Sequence, residues 1–216
     1  MRSYGQYCGV ARALDLIGDR WTLLIVRELM IRDGCRYTDL RNGLPGIATN
    51  LLAERLRELE QSGLVWREDA PPPVATTLFH LTARGQALEP VLRELGRWGA
   101  PLLAEQGRNE DAALSHWLVL PLRLYFRDTA PEKPPVRLEL RGGGEAVTVE
   151  TVDGKVATRV GAAAHPDAVL SGTPQLILAV LAGKLGLKEA RAAGLKCEGN
   201  EAAVGRIRPV SAAIAA

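Results

Sequence analysis

Leucines three and four positions apart recur through residues 37–64 and predict two short helices joined by a tight turn. Leu40 and Leu44 share one face of the first helix. The Pro-Gly pair at 45–46 ends it, because proline disfavours a helical residue before it and glycine accepts positive φ. The second helix is predicted over residues 49–61, with a polar outer face. Its buried stripe consists of Leu52, Leu56 and Leu59. This order of elements is that of a helix-turn-helix.

The outer face of the second helix carries arginine, and more arginines surround the motif. Charged residues usually only face water, but Ala53 is small at the middle of this face and allows close approach to a groove. Arginine also makes the forked contacts that phosphates and guanine edges require. We therefore predict a DNA-binding surface. The residues expected to face the major groove are Thr49, Asn50, Ala53, Glu54 and Arg57. Those expected nearer the DNA backbone, or supporting the helix, are Arg36, Thr38, Arg41 and Arg55.

The elements around this motif predict a winged domain. Residues 64–67 and 77–81 alternate as two antiparallel strands do, and the prolines at 71–73 stiffen their connection. Such a hairpin after a helix-turn-helix is a wing, and Arg67 is the basic residue predicted at its base. Upstream, Asp19 is predicted to cap a helix over residues 21–30, and residues 32–36 are predicted to form a turn around the Asp-Gly pair at 33–34.

A long helix is predicted to follow the wing, capped by Thr82 and broken or bent near Pro90. It carries more apolar surface than one small domain can cover, which indicates a two-fold dimer interface together with the helix that starts at Cys8. The apolar residues of this helix are Leu88, Leu92, Leu95, Trp98 and Leu102.

Beyond a polar linker at residues 106–114, the hydrophobic period changes to two. Thr173 and Pro174 are predicted to open a helix that is apolar almost all round, and residues 116–126 are predicted as another buried helix. An apolar helix over an amphipathic sheet is typical of an α+β domain. The predicted domains are residues 1–105 and 116–216. After the last strand, Asn200 is predicted to cap a final helix. Five strands are predicted, at residues 136–141, 146–152, 155–160, 167–172 and 195–199.

Composition limits the function further. The formal charge of +2 excludes a strongly basic nucleic-acid coat protein, so any DNA affinity comes from local patches. We expect a cytoplasmic protein without a signal peptide or membrane contact, because the start lacks an apolar core and no run is long enough to span a bilayer. We expect no cofactor. The three cysteines and three histidines lack metal-ligand spacing, and no serine lies in a nucleophile motif, so neither a metal site nor catalytic residues are predicted.

Residues 7 to about 105 resemble the HxlR-type winged helix-turn-helix regulators. The residues that carry the resemblance are Cys8, 13–25, 27–29, 44–47, Leu52, 55–60, 63–65 and 81–82. The resemblance implies a homodimer that binds double-stranded operator DNA with the second helix in the major groove. This sequence departs from the family in two places. The first is Ala48, where the family usually has a Ser or Thr, so the second helix loses a cap worth ~1 kcal/mol unless Thr49 serves instead. The second is residues 74–76, where the family's wing usually carries a basic residue. Cys8 occupies the position at which some members sense oxidants or electrophiles; the alternative is a small buried hydrophobe at the dimer interface.

Residues 116 to about 208 resemble the sterol carrier protein type 2-like domain. The residues that carry the resemblance are 167–174, Leu178, 181–185, 189–190, 194–196 and 198–200. The resemblance implies a five-stranded sheet and helices that enclose an apolar cavity for lipid-like molecules. The expected pocket lining is Trp117, Tyr125, Phe126, Leu138, Leu176, Ile177, Val180 and Leu181. The sequence leaves open whether these residues surround a cavity or a packed core.

Together these features predict a DNA-binding transcriptional regulator, a homodimer on a pseudo-palindromic operator, whose activity an apolar small molecule in the C-terminal domain modulates. One alternative is a lipid or small-molecule carrier that uses the winged helix mainly for dimerisation. Another is an enzyme that acts on an apolar substrate in the C-terminal pocket.

Overall fold

The computed structural model describes residues 3–71, 76–105 and 113–210. The chain divides into two compact units, residues 1–92 and 93–216. Within the described residues, no helix is both long enough and apolar enough to cross a membrane.

The first unit contains the predicted winged helix-turn-helix. Its helices are α1 (Gly9–Ile17), α2 (Thr22–Ile31), α3 (Tyr37–Gly43), α4 (Thr49–Gln61), α5 (Ala83–Gln86) and the start of α6 (Glu89–Glu105); its strands are β1 (Cys35–Arg36), β2 (Val65–Ala70) and β3 (Thr76–Leu81). Helices α3 and α4 confirm the predicted helix-turn-helix. The predicted wing is confirmed as an antiparallel β2–β3 hairpin with Val65 opposite Leu81. Residues 72–75, which separate the two strands in sequence, lie outside the described residues. They include two of the three residues at 74–76 at which the family usually has a basic residue.

Three local predictions for this unit were wrong in detail. Residues 35–36 were expected in a turn but form β1, which pairs with β3 in a sheet of order β1-β3-β2. Thr82 caps the four-residue α5, not the long helix, and α6 starts separately one residue before Pro90. Asp19 does not cap α2: the N-cap is Trp21 at φ 78°, without a side-chain hydrogen bond.

The second unit contains a curled sheet covered by short helices. After a 3-10 turn at Ser115–Leu118, its elements are α7 (Val119–Tyr125), β4 (Phe126–Asp128), β5 (Arg137–Arg141), β6 (Val147–Val152), β7 (Lys155–Val160), β8 (Ala168–Ser171), α8 (Pro174–Leu181), α9 (Leu187–Ala192), β9 (Lys196–Gly199), α10 (Glu201–Gly205) and β10 (Ile207–Pro209). The strand order is β10-β4-β7-β6-β5-β8-β9, and the β5–β8 pair is parallel.

The sheet has seven strands within residues 113–210, so the predicted count of five was wrong. The two additional strands, β4 and β10, have three residues each and pair antiparallel at one edge of the sheet. Three residues are too few for an alternating pattern to stand out in sequence. The helix predicted over 116–126 was too long at both ends, since Ser115–Leu118 form a 3-10 turn and Phe126 starts β4.

The two helix N-caps predicted for this unit are confirmed. The Thr173 hydroxyl accepts a hydrogen bond from the amide of Leu176, with Pro174 in the first turn of α8. The Asn200 side chain accepts from the amide of Ala202 at the start of α10.

A buried ion pair closes the edge of the seven-stranded sheet. The Arg206 guanidinium binds both carboxylate oxygens of Asp128, with Nε–Oδ1 at 3.0 Å and Nη2–Oδ2 at 2.5 Å. It also donates to the carbonyls of Ala130 and Pro134. The pair therefore attaches the connection after α10 to β4 and the loop that follows it.

Candidate nucleic-acid interface

Helix α4 separates into a buried and an exposed face as its leucine spacing predicts. The three leucines of its predicted stripe are buried, while four of the five residues expected to face DNA are exposed and Ala53 is half-buried. The buried stripe fixes the rotation of the helix, so the polar residues point away from the core. The exposed residues are Thr49, Asn50, Glu54 and Arg57.

Two arginines of the motif are exposed and lack an acidic partner. Among the described residues, no carboxylate lies within 4 Å of the guanidinium of Arg57 on α4 or of Arg41 on α3. Thr38 and Arg36 at the start of α3 are exposed as well. The backbone amide of Arg36 donates to the Asp39 carboxylate at 3.0 Å, which satisfies one free amide of the first turn.

Other polar residues of the motif position α4. The Tyr37 hydroxyl donates to the backbone carbonyl of Thr49 at 2.7 Å and connects the starts of α3 and α4. The Arg55 guanidinium binds Asp19 at 2.7 Å and also Glu58. Of the two roles expected for Arg55, its contacts fit the one that supports the helix.

Arg67 at the wing base is partly engaged within the unit. Its Nε lies 3.4 Å from Glu60 Oε1, and 65% of its side chain is exposed. Since exposed ion pairs are weak, this contact leaves the guanidinium available to a phosphate.

Helix α4 begins without a side-chain cap. Its N-cap residue, Ala48, has φ −71° and ψ 140° and makes no side-chain hydrogen bond. The missing cap predicted from the departure at this position is therefore confirmed, and Thr49 does not replace it. The first-turn amides of α4 lack a side-chain acceptor from the N-cap, at the end of the helix where its dipole is positive.

The three cysteines have different environments. Cys8 is exposed at the N-cap of α1, where the backbone amides of Ala11 and Val10 lower the pKa of its thiol. Cys35 is fully buried. Burial, followed by the nearby charge of Glu201, raises the pKa of the half-buried Cys197.

Helices α1 and α6 both expose large apolar side chains. On α1, Val10 is 69% and Leu14 43% exposed; on α6, Leu95 is 47% and Trp98 73% exposed. Leu102 on α6 is also exposed, Leu88 is half-buried, and Leu92 is buried. Soluble proteins rarely leave such surfaces in water without a partner.

In the C-terminal unit, most of the predicted pocket residues belong to the buried interior. Leu138, Ile177 and Leu181 are fully buried, whereas Trp117 and Leu176 are half-buried. Tyr125 and Phe126 are also buried, and Tyr125 donates to the carbonyl of Arg93. A cleft of about 430 Å³ opens elsewhere in this unit, and Val180 is the residue that it shares with the predicted set.

Sequence reasoning missed Tyr37 and Asp19 as residues that position α4. Tyr37 and Thr49 are twelve positions apart, and Asp19 and Arg55 are 36 apart, so no local spacing connects them. The described residues contain no group of three or more His, Cys, Asp or Glu placed to hold a metal ion.

Comparisons with known proteins concern the N-terminal part of the chain. Residues 16–107 match the family described as HxlR-like helix-turn-helix. The HTH-type transcriptional regulator YvaP of Bacillus subtilis (strain 168) is 36% identical over 87 residues, which cover 40% of this chain and 80% of YvaP. The regulator YodB of the same organism is 39% identical over 87 residues, covering 40% of this chain and 76% of YodB.

Two solved structures share this similarity. Reduced YodB from B. subtilis is 35% identical and covers 44% of this chain and 92% of that chain, with a TM-score of 0.39. The redox regulator HypR in its reduced form is 30% identical and covers 43% of this chain and 90% of that chain, with a TM-score of 0.40.

Proposed function

Because the chain belongs to the HxlR-like helix-turn-helix family, we propose that it is a transcriptional regulator that binds a pseudo-palindromic operator as a homodimer. The single observation that carries this proposal is the exposed face of α4, which presents polar side chains and an arginine without an acidic partner among the described residues. Three buried leucines hold that face outward. The relatives of this chain are transcriptional regulators, which are not enzymes.

Direct readout follows from the side chains on this face. Arg57 takes a guanine edge through two parallel hydrogen bonds, and Asn50 is suited to adenine. Ala53 lets the helix approach the bases closely. Arg41 and the uncapped start of α4 contact phosphates, which position the helix but carry no sequence information.

A second copy of this chain is the proposed partner of the apolar surfaces on α1 and α6. An interface of this kind is self-complementary in a two-fold dimer. It sets two recognition helices about one DNA turn apart, ~34 Å. Light scattering that finds a stable monomer at micromolar concentration contradicts this part of the proposal.

The test of DNA binding starts from a random-sequence pool, from which the wild-type protein selects its operator. Arg57→Ala is expected to weaken binding to that operator by ~1–3 kcal/mol, because one bidentate base contact is lost. Arg159→Ala, an exposed arginine on β7 of the other unit, is the matched control and leaves affinity unchanged.

Salt dependence separates a regulator from a carrier protein. A specific regulator keeps its preference for the selected operator as salt rises, because base contacts release few counterions. If selection yields no consensus, or if Arg57→Ala binds like the wild type at physiological salt, the proposal is wrong.

Redox sensing at Cys8 is a second candidate function, which its exposed position and lowered thiol pKa favour. Alkylation by iodoacetamide, followed peptide by peptide across pH, compares the three cysteines within one protein. The alkylation of Cys8 is expected to have the lowest pH midpoint of the three cysteines, and buried Cys35 is expected to be protected from alkylation. A midpoint for Cys8 at or above that of Cys197 contradicts the assignment.

The C-terminal unit supplies the proposed regulatory input. A small molecule that prefers one arrangement of the dimer shifts it toward or away from DNA. The cleft of about 430 Å³ supports this part, because its volume lies within the range of small-molecule sites. Mass spectrometry of gently purified protein tests for a bound ligand. The resemblance of this unit to sterol carrier domains stays a prediction.

A further inference from the structure

The cleft in the C-terminal unit has a mixed wall, in which apolar side chains lie beside one arginine, one glutamate and polar backbone. It lies where the ends of α8 and α10 meet the start of α9, and Arg208 on β10 contributes a guanidinium to its lining. A site that combines apolar side chains with a few polar or charged groups usually orients an amphipathic ligand by those groups. The apolar residues of the wall are Val180, Leu185, Leu187 and Val204.

Backbone carbonyls hold the Arg208 guanidinium by one of its nitrogens. Nη1 donates to the carbonyls of Ile207 at 2.8 Å, Val204 at 3.1 Å and Leu181 at 3.5 Å. Within the described part of the chain, Nε and Nη2 have no hydrogen-bond partner. These two nitrogens form the edge that binds a carboxylate side-on through two parallel hydrogen bonds.

Two glycines leave this edge uncovered. A Cβ atom at Gly183 would lie 3.9 Å from Nε of Arg208, and one at Gly205 would lie 3.9 Å from Nη2. A side chain longer than alanine at Gly205 would therefore lie against the fork. Gly183 has φ +74°, a backbone conformation that glycine adopts readily, so this residue also forms the turn after α8.

The charge of Arg208 has no acidic partner among the described residues. Glu201 lines the same cleft, but its carboxylate binds Arg191 at 2.5 Å. Burial lowers the pKa of Arg208, although an arginine remains charged in proteins. A half-buried charge without a counterion is costly, and a purely apolar ligand would remove it further from water.

We propose that this cleft binds a small amphipathic carboxylate. The ligand's carboxylate lies on the Nε–Nη2 edge of Arg208, and its hydrocarbon part lies along Val180, Leu187 and Val204. As an effector site this cleft rests on the proposed function, so its binding is measured on the protein without DNA. A failure of ligand binding then leaves the operator experiment unaffected, and the reverse also holds.

Isothermal titration calorimetry of the full chain with octanoate and octanamide tests the proposal. The two probes share their hydrocarbon chain and differ in charge. Octanoate is expected to bind at least about tenfold more tightly, because only the carboxylate pairs with the guanidinium. Equal affinity for the two probes, or no binding of octanoate, overturns the proposal. Inorganic phosphate is expected to compete with octanoate only weakly. If phosphate displaces octanoate at concentrations near the octanoate dissociation constant, the site recognises charge alone, the apolar wall plays no part, and the proposal is wrong.

Two variants locate the site. Arg208→Gln is expected to weaken octanoate binding by about tenfold or more and to leave octanamide binding unchanged. Since Arg208 also holds three carbonyls, Gly205→Leu provides a second approach on an exposed helix position. Gly205→Leu is expected to abolish octanoate binding, whereas Ala192→Leu on exposed α9, outside the cleft, keeps it. Wild-type octanoate affinity in folded Gly205→Leu overturns the assignment.

Discussion

The Asp128–Arg206 pair is expected to make a large polar contribution to the stability of the C-terminal unit. Only 3% of the Asp128 side chain and 11% of the Arg206 side chain are exposed. Arg206→Ala leaves the buried carboxylate without its counterion and removes the donor from two backbone carbonyls. Breaking a buried pair by removing one partner costs about 3–5 kcal/mol, a large part of the 5–15 kcal/mol that is typical for a folded protein.

The pH dependence of this contribution has a definite sign. Hydrogen bonds from Arg206 outweigh the effect of burial and hold the pKa of Asp128 below its ordinary value. A carboxylate whose pKa is depressed by folding stabilises the protein above its unfolded pKa of about 3.9 and loses that effect as pH falls through the folded pKa. The difference in free energy of unfolding between wild type and Arg206→Ala is therefore expected to have its largest value near pH 7 and to shrink below about pH 4.

Hydrogen exchange of the amides in Val147–Val152 reports on this unit alone. Arg191→Ala is the matched control, because its pair with Glu201 is about half exposed and is worth at most about 1 kcal/mol. The double variant Arg206→Met with Asp128→Leu is expected to recover part of the loss, since no buried charge remains. A cost below about 1 kcal/mol for Arg206→Ala would refute the reasoning, as would strict additivity in the double variant.

Three smaller perturbations test local features. Ala48→Ser is expected to raise the free energy of unfolding by about 1 kcal/mol, because it supplies the missing cap of α4 in an extended backbone that suits one; urea denaturation that shows no gain contradicts this. Gly96→Ala places a Cβ 2.6 Å from the buried Tyr125 hydroxyl and is expected to lower the free energy of unfolding by about 1–3 kcal/mol. Gly99→Ala in the same helix meets nothing within 4 Å and is expected to raise it by about 0.5–1 kcal/mol. Equal urea midpoints for the two variants would count against the packing argument. Leu181→Trp is expected to destabilise a packed interior by about 1–3 kcal/mol; an unchanged melting temperature, with loss of binding of an apolar fluorescent probe, would instead indicate an internal cavity.

The candidate DNA interface was predictable because its signals are local. The leucine spacing and the Pro-Gly turn act within a few residues of one another. They placed α4 at its observed bounds, whereas α3 ends at Gly43, one residue before Leu44. The exposed positions of Asn50, Glu54 and Arg57 follow directly from the buried stripe. The missing cap at Ala48 was visible for the same reason, since a cap is a property of adjacent residues.

What the sequence by itself determined is thus the type of each long element, the caps of α8 and α10, and the polar face of α4. Only the tertiary structure decided which distant residues meet. It added the three-residue strands β4 and β10, assigned Asp19 to Arg55 and not to a helix cap, and joined Asp128 to Arg206 across 78 positions. It also left the fork of Arg208 open beside two glycines. Short strands, ion pairs and clefts depend on contacts between segments far apart in the chain, and hydrophobic periodicity carries no record of such contacts.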